Sequence, residues 1–143
     1  MCYNGIVKKE NAMEYYFEIE EVMLNIGLQP KYHGFQYLRD CVRLFFKKPV
    51  IAETLTVEIY PEVAKMHEVS PSAIERDIRI TIKDAFKTKG LLNINKYYDE
   101  IVFEIAKPPS NGEIIAIIAE LVKLERLKNK LKVLSDGENK KIN

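Results

Sequence analysis

The stretch that decides the fold is Glu68–Gly90, EVSPSAIERDIRITIKDAFKTKG. Placed on a helix at about 100° per residue, its apolar residues share an arc of about 140°, the width typical of a helix packed on a core. These residues are Ile74, Ile78, Thr81, Ile82, Ala85 and Phe86. The pattern predicts an amphipathic helix over residues 71–89.

The same helix carries a neighbouring arc of about 80° that contains its cations. This arc, termed here the basic face, consists of Arg76, Arg79, Lys83 and Lys87. Asp77 and Asp84 lie on the other side of the helical wheel. Solubility alone does not require that separation, whereas contact of one helix face with a polyanion favours it. The alternative is that the cations form an ordinary solvated face.

The segment before this helix predicts a helix-turn-helix. The small residue Ala64 is followed by a turn over 67–70 and then by Ile74. A small residue at that position lets two helices cross closely. The helix over 71–89 is then the recognition helix, whose first turns enter the DNA major groove. Glu68 stands in the turn where many helix-turn-helix proteins have glycine.

Four side chains of the predicted recognition helix are candidates for contact with DNA bases. Arginine forms two hydrogen bonds with guanine O6 and N7, and glutamate accepts one from cytosine N4. Glu75 and Arg76 are adjacent near the start of the helix, which predicts recognition of a step containing a C·G pair. Arg79 and Lys83 follow one and two turns later and are predicted to contact a further base or the phosphates.

Two serines at the start of the helix are candidates for contact with a DNA phosphate. Ser70 and Ser72 lie beside the exposed amide groups of a helix N-terminus, which favour an anion. The spacing of Ser72 and Glu75 also matches a capping box. A purely structural role for Glu75 therefore stays open at this point.

Composition restricts the class of protein. The chain has 143 residues, 47% hydrophobic and 30% charged, as expected for one globular domain. Its formal net charge of +1 gives no global field, so any polyanion site must be local. Cys2 and Cys41 lack metal-ligand spacing, and no catalytic motif or phosphate loop occurs. We predict no metal, no cofactor and no enzymatic activity.

The absence of an apolar run of about 20 residues predicts a cytoplasmic protein without membrane contact.

Apolar periodicity predicts an all-α, compact domain of about six helices. A first helix is expected over 12–27 and a second from residue 35 to Pro49. Over 51–67, Pro61 either kinks one helix or lies in the first turn of a new one. A capping box at 110–113 predicts that the last helix begins near Asn111.

The remaining segments have weaker patterns. Tyr97, Ile101, Phe103 and Ile105 alternate with other residues, which indicates either a short strand or an irregular arm. The last helix is expected to extend to Leu134. We predict an N-terminal arm over 1–12, a helical domain over 13–134 and a polar tail over 135–143 that frays.

Three blocks of sequence resemble a known family. They are HGFQYLRDCVRLFFKKP at 33–49, VEIYPEVAKMHEVSPSAIERDIRITIKDAFKTKG at 57–90 and AKPPSNGEIIAIIAELVKLE at 106–125. In this order they resemble the C-terminal DNA-binding domain of stage-zero sporulation protein A, a response regulator of sporulation. The resemblance covers about residues 18–128.

The resemblance implies an all-helical domain that binds short operator boxes of double-stranded DNA, often as a homodimer on tandem sites. It implies that Glu75, Arg76 and Arg79 contact DNA from the recognition helix, and that Ser70 and Ser72 approach the backbone. The final helix is implied in docking and transcriptional contacts, with RNA polymerase as a partner.

The sequence departs from the family at several positions. Ala73 stands where the family has an arginine that recognises a base, and Ile80 stands where histidine is common. Loss of that arginine removes about 1–3 kcal/mol of discrimination at its base. Only 17 residues precede Glu18, so no receiver domain is expected before it. Leu131 and Leu134 continue an apolar stripe past the family's usual end, which indicates a partner helix.

Two functional hypotheses follow. The first is a sequence-specific DNA-binding transcriptional regulator of sporulation type. The second is a protein-interaction module that does not bind DNA and instead pairs with, or antagonises, a full-length sporulation regulator. Ala73, the low net charge and the extended last helix favour the second.

Overall fold

The computed structural model describes residues 15–47, 55–101, 104 and 106–142, with side chains described as far as Gly137. Its helices are α1 over 15–25, α2 His33–Lys47, a π-helical turn Leu55–Ile59, α3 Tyr60–His67, α4 Pro71–Lys87, a 3₁₀ helix Gly90–Tyr97 and α5 Asn111–Ile142. No strand occurs in these ranges. The prediction of an all-α domain is confirmed.

Helix α4 lies at the centre of the domain. It contacts α2, α3, α5 and the 3₁₀ helix, and its side chains Ile74, Ile78 and Ile82 are completely buried. Full burial of an isoleucine stabilises the fold by about 1.5–3 kcal/mol. The predicted apolar arc is therefore the face on which the domain is assembled, with Phe86 at its half-buried edge.

Glycine allows α2 to approach α4 more closely than another residue would. A Cβ atom placed on Gly34 would collide with the carbonyl oxygen of Asp77 and the hydroxyl of Thr81. The Thr81 hydroxyl itself donates to the Asp77 carbonyl at 2.9 Å, which satisfies it inside the core. The first turn of α2 thus rests on the α4 backbone.

Both helix junctions around Gly27 and Pro61 follow their sequence signals. Gly27 ends the α1 segment with φ +89°, a conformation that favours glycine, and a Cβ on it would lie 2.7 Å from Gly90 Cα. Pro61 lies in the first turn of α3, directly after the π-helical turn, so the second of the two predicted alternatives is confirmed. Pro49 lies outside the described residues.

The segment after α4 differs from the prediction at Tyr97, which ends a 3₁₀ helix instead of starting a strand or an irregular arm. It opens with the 3₁₀ helix, which buries Leu91, Ile94 and Tyr97. Ile101 is exposed, and Phe103 and Ile105 lie outside the described residues.

The last helix begins where the sequence predicts and ends later. The Ser110 hydroxyl accepts from the Glu113 amide at 3.2 Å, and α5 starts at Asn111. The helix continues past Leu134 to Ile142 instead of fraying. Polar residues such as Lys, Glu and Asn do not break a helix, and the one glycine in the extension, Gly137, costs only about 1 kcal/mol.

We predict that Gly34→Ala lowers the free energy of unfolding by about 1–3 kcal/mol in urea denaturation, because the added methyl group meets backbone that cannot move aside. Helix propensity alone gives the opposite sign, since alanine favours a helix by about 1 kcal/mol over glycine. Gly137→Ala is the matched control, because a Cβ there meets nothing within 4 Å. Equal stability of the Gly34 variant and the wild type would contradict the close approach.

Candidate nucleic-acid interface

A buried carboxylate fixes the end of α3, where the turn to α4 begins. Asp40 on α2 is buried, and its Oδ2 lies 2.6 Å from His67 Nε2 on the last residue of α3. Arg39 and Arg43 approach the same carboxylate at 3.2 and 3.4 Å. Removing one member of a buried charged group is destabilising by about 3–5 kcal/mol. Asp40 therefore anchors the helix-turn-helix to α2, a role that the sequence did not indicate.

The carboxylates around Arg39 also affect its ionisation. Burial by itself lowers the pKa of this guanidinium. Attraction to Asp40, with hydrogen bonds to Asp40 and Glu20, outweighs burial and raises the pKa above its ordinary value. The arginine stays charged and completes the group.

The turn between α3 and α4 holds a residue in an uncommon backbone conformation. Glu68 has φ 57° and ψ 43°, the left-handed region in which glycine is usual. The Val69 amide donates to the Ala64 carbonyl at 3.0 Å, which closes the end of α3. Ala64 is buried, as the helix-turn-helix pattern predicts. The sequence thus keeps the turn geometry without the glycine.

The two serines at the start of α4 have different roles. Ser70 is the N-cap, and its hydroxyl accepts from the Ala73 amide at 3.2 Å. Its hydroxyl also lies 3.1 Å from that of Ser72. The alternative of a capping box from Ser72 to Glu75 is wrong, because the helix starts two residues earlier than that box requires.

Few groups at this helix end remain for an anion. Pro71 has no amide hydrogen, and the amides of Ala73 and Ile74 bond to Ser70. At most the Ser72 amide and the two serine hydroxyls can contact a phosphate.

The guanidinium groups of the basic face are exposed but paired within the helix. Arg79 forms an ion pair with Glu75 at 2.5 Å, and Arg76 Nε lies 3.4 Å from Asp77 Oδ1. The two arginine side chains are 55% and 68% exposed. Exposed pairs of this kind are worth about 0.3–0.5 kcal/mol. Since a bidentate arginine–guanine contact is worth about 1–3 kcal/mol, these pairs do not prevent contact with DNA.

Separation of acids from the basic face is incomplete. Asp77 contacts Arg76, whereas Asp84 accepts from Gln29 Nε2 and the Tyr32 hydroxyl, both at 3.1 Å. The connector between α1 and α2 therefore holds Asp84 away from the cations. Lys83 is exposed and makes no ion pair with any described residue.

Sequence reasoning missed an exposed apolar side chain at the edge of the basic face. Ile80 is 46% exposed, although isoleucine is usually buried. At 100° per residue it falls about 20° beyond Lys87, where the basic face ends, and about 40° from Asp84 on its other side. The same wheel that predicted the apolar arc could have found it, because Ile80 lies outside that arc. One exposed apolar side chain thus borders the basic face.

The start of α5 supports the recognition helix from behind. Asn111 Nδ2 donates to the Glu75 carbonyl at 3.0 Å, and the Asn111 side chain also bonds with the Tyr60 hydroxyl. Burial raises the pKa of Tyr60, so this hydroxyl stays protonated. The Asn111 side chain thereby joins α3, α4 and α5.

A groove of about 520 Å³ lies between α4, the π-helical turn with the start of α3, and the segment before α5. Three cations line it, from two separate parts of the chain: Arg79, Lys83 and Lys107. Lys107 was not among the predicted site residues. Lys107 thus places a further cation beside the basic face, from outside α4.

The described part of the chain offers no metal site, no membrane-spanning helix and no reactive cysteine. It contains no group of three His, Cys, Asp or Glu side chains that could hold a metal. None of its helices is long and apolar enough to cross a membrane. Cys41 is completely buried, and burial raises the pKa of its thiol, so it is not a nucleophile.

Comparison with known families agrees with this geometry. A family model described as sporulation initiation factor Spo0A C terminal matches residues 19–122, most of the chain. The chain belongs to the Spo0A C-terminal family. That family is the DNA-binding effector domain of a sporulation regulator and is not an enzyme family. The whole helix-turn-helix of the Spo0A C-terminal domain lies within the match, whereas α5 continues from residue 123 to Ile142 beyond it.

We predict that Glu68→Gly raises the free energy of unfolding by up to about 1 kcal/mol, because glycine removes the strain of the left-handed conformation. Thermal and urea unfolding would measure the change. Glu62→Gly is the control, since an exposed glycine inside α3 lowers stability by about 1 kcal/mol. A destabilised Glu68→Gly variant would show that the turn does not hold this geometry.

Proposed function

We propose that the chain is a sequence-specific DNA-binding regulator of transcription, of sporulation type, which recognises the major groove with α4. The observation that carries the proposal is the exposed basic face on a helix held by four neighbouring elements. Preorganisation matters because a helix that needs no reordering loses little conformational entropy on binding. Membership of the Spo0A C-terminal family supports the same role.

In this proposal Glu75 and Arg79 exchange one partner for another. Free in solution, the two side chains neutralise each other. In the major groove, Arg79 turns to guanine O6 and N7 while Glu75 accepts from cytosine N4. Arg76 contacts a neighbouring base or phosphate. The pair offsets part of the Arg79 charge in the free protein, so release of Arg79 is most favourable where both bases are present.

Ile80 extends recognition to thymine. An exposed aliphatic side chain in a major-groove face is suited to the thymine 5-methyl group. Ala73 offers no hydrogen-bond donor where the family has arginine. We expect an operator that differs from the family's at these two positions.

Contacts with the DNA backbone set the register of the helix on the duplex. Ser72 and Ser70 contact one phosphate at the start of α4. Lys83 and Lys107 line the adjacent groove and contact phosphates there. Binding as a homodimer on tandem sites, contact with RNA polymerase and a cytoplasmic location complete the proposal.

We predict that the chain binds duplex DNA with an affinity that falls steeply as salt rises, measured by fluorescence anisotropy on duplexes selected from a random pool. Arg79→Ala weakens binding to a selected duplex by about 10–100-fold and relaxes preference at one base pair. Lys96→Ala, which removes one charge from the 3₁₀ helix, should change binding much less. If the two variants behave alike, base recognition by Arg79 is wrong.

A second prediction concerns Glu75→Ala. Freed from its ion pair, Arg79 should bind unselected duplex about 2–5-fold more tightly, while discrimination at the cytosine falls by about 10-fold or more. Glu62→Ala serves as the matched control, because it removes one exposed carboxylate from α3. Equal gains in both variants would indicate a general charge effect and not the proposed exchange.

A third prediction concerns Ile80. Replacing thymines of a selected duplex one at a time by deoxyuridine should weaken wild-type binding about fourfold at a single position, the value of one buried methyl group at about 0.8 kcal/mol. The Ile80→Ala variant should not respond at that position. Absence of any such position in the wild type would remove Ile80 from the interface.

The protein-interaction hypothesis has a distinct outcome. If the chain binds no duplex at low salt and forms a stable complex with a full-length regulator of its own family, the DNA-binding proposal is overturned in favour of that alternative.

A further inference from the structure

The part of α5 beyond the family match exposes a narrow row of leucines. We term residues 123–137 the stem, and Leu127, Leu131 and Leu134 the leucine seam. These side chains are 55%, 57% and 58% exposed. At 100° per residue they fall within an arc of about 60°. Seams this narrow are typical of paired helices, whereas a core-facing or membrane-surface helix has an apolar face of about 100° or more.

Cations flank the leucine seam on both sides. The stem carries five cations, Lys123, Arg126, Lys128, Lys130 and Lys132, and two acids, Glu125 and Asp136, which lie on the face opposite the leucine seam. The Lys128 ammonium donates to the Tyr97 carbonyl at 2.7 Å, which ties the base of the stem to the 3₁₀ helix. The stem therefore leaves the domain as a defined helix.

A heptad register shows what the seam can accept. With Leu127 and Leu134 at d and Leu131 at a, the flanking e and g positions are 123, 128, 130, 135 and 137. Three of these are lysine, of which Lys128 is held by the Tyr97 carbonyl, one is serine and one is glycine. Residues at e and g face a partner helix and set partner choice.

A second copy of the chain does not complement this seam. In a parallel pair Lys123 of one copy faces Lys128 of the other, and in any antiparallel register e and g positions meet only lysine, serine or glycine. No orientation brings an acid at an e or g position of the stem to those lysines. The charges disfavour self-association through the stem and require an acidic partner.

We infer that the leucine seam binds an acidic amphipathic helix of another protein, with apolar residues at a and d and glutamate or aspartate at e and g. Half-buried Leu124 continues the seam at its base, which gives four apolar layers. Leu131 lies about 30 Å along α5 from Asn111, which contacts the recognition helix. The partner can thus bind while α4 remains open to DNA. This interaction does not depend on the proposed DNA recognition.

The test uses a fluorescein-labelled helical peptide of about three heptads, with leucine at a and d and glutamate at e and g, titrated with the full chain at about 100 mM salt. Two controls accompany it: the same peptide with lysine at e and g, and a scrambled peptide with the composition of the glutamate version. We expect the glutamate peptide to bind about tenfold or more tightly than either control.

Two variants of the chain test the surface itself. Leu131→Asp should weaken binding of the glutamate peptide about tenfold or more, because it places a carboxylate in the seam. The double variant Lys123→Glu and Lys130→Glu should reverse the preference towards the lysine peptide. Circular dichroism should show both variants folded, and DNA binding by Leu131→Asp should equal that of the wild type.

Each other outcome overturns the inference. Equal binding of the glutamate and scrambled peptides would mean that charge attracts the peptide and that the leucine seam takes no part in binding. Self-association that Leu131→Asp abolishes, with no peptide binding, would assign the seam to a second copy. Binding to vesicles containing anionic lipid, with none to the peptide, would assign it to a membrane surface.

Discussion

Burial of one face of α4 is the constraint on which the rest of the structure depends. Ile74, Ile78 and Ile82 are fully buried, so the rotation of this helix about its axis is fixed by the core. A rotation by half a turn would bring the cations inward, where an unpaired charge is strongly disfavoured. The apolar face therefore determines which side chains meet solvent, and the basic face results from the same rotation.

Fixing the rotation is not sufficient, because a helix can also slide along its axis. Two polar contacts and one close approach, all towards the N-terminal half of α4, set that position. The Asp40 group holds the end of α3, Asn111 holds the Glu75 carbonyl, and Gly34 lets the first turn of α2 rest on the α4 backbone. Such contacts are directional, whereas hydrophobic contact is not, so they define where along α4 its neighbours lie.

Sequence patterns predicted the structural features that depend only on residues close together in the chain. The apolar arc of α4, the end of α1 at Gly27 and the cap at Ser110 all follow from local rules, and all are observed. The contact of Asp40 with His67 joins residues 27 apart, so no local rule indicates it. Ile80 was missed for a different reason: it was noted only as a departure from the family, although its position on the wheel, outside the apolar arc, places it beside Lys87.

The low net charge of the chain conceals a strongly uneven distribution of its charged side chains. With a formal sum of only +1, four cations on the basic face and five on the stem require the other side chains to be net acidic. A polyanion then meets repulsion from most of the surface and attraction at few places, which favours oriented approach over general adhesion. The two basic surfaces differ in shape, because one includes a groove beside its helix and the other a leucine seam. Both surfaces are cationic, so charge alone does not tell their ligands apart. The leucine seam beside the cations suits the stem to a helix, whereas the basic face of α4 suits a duplex.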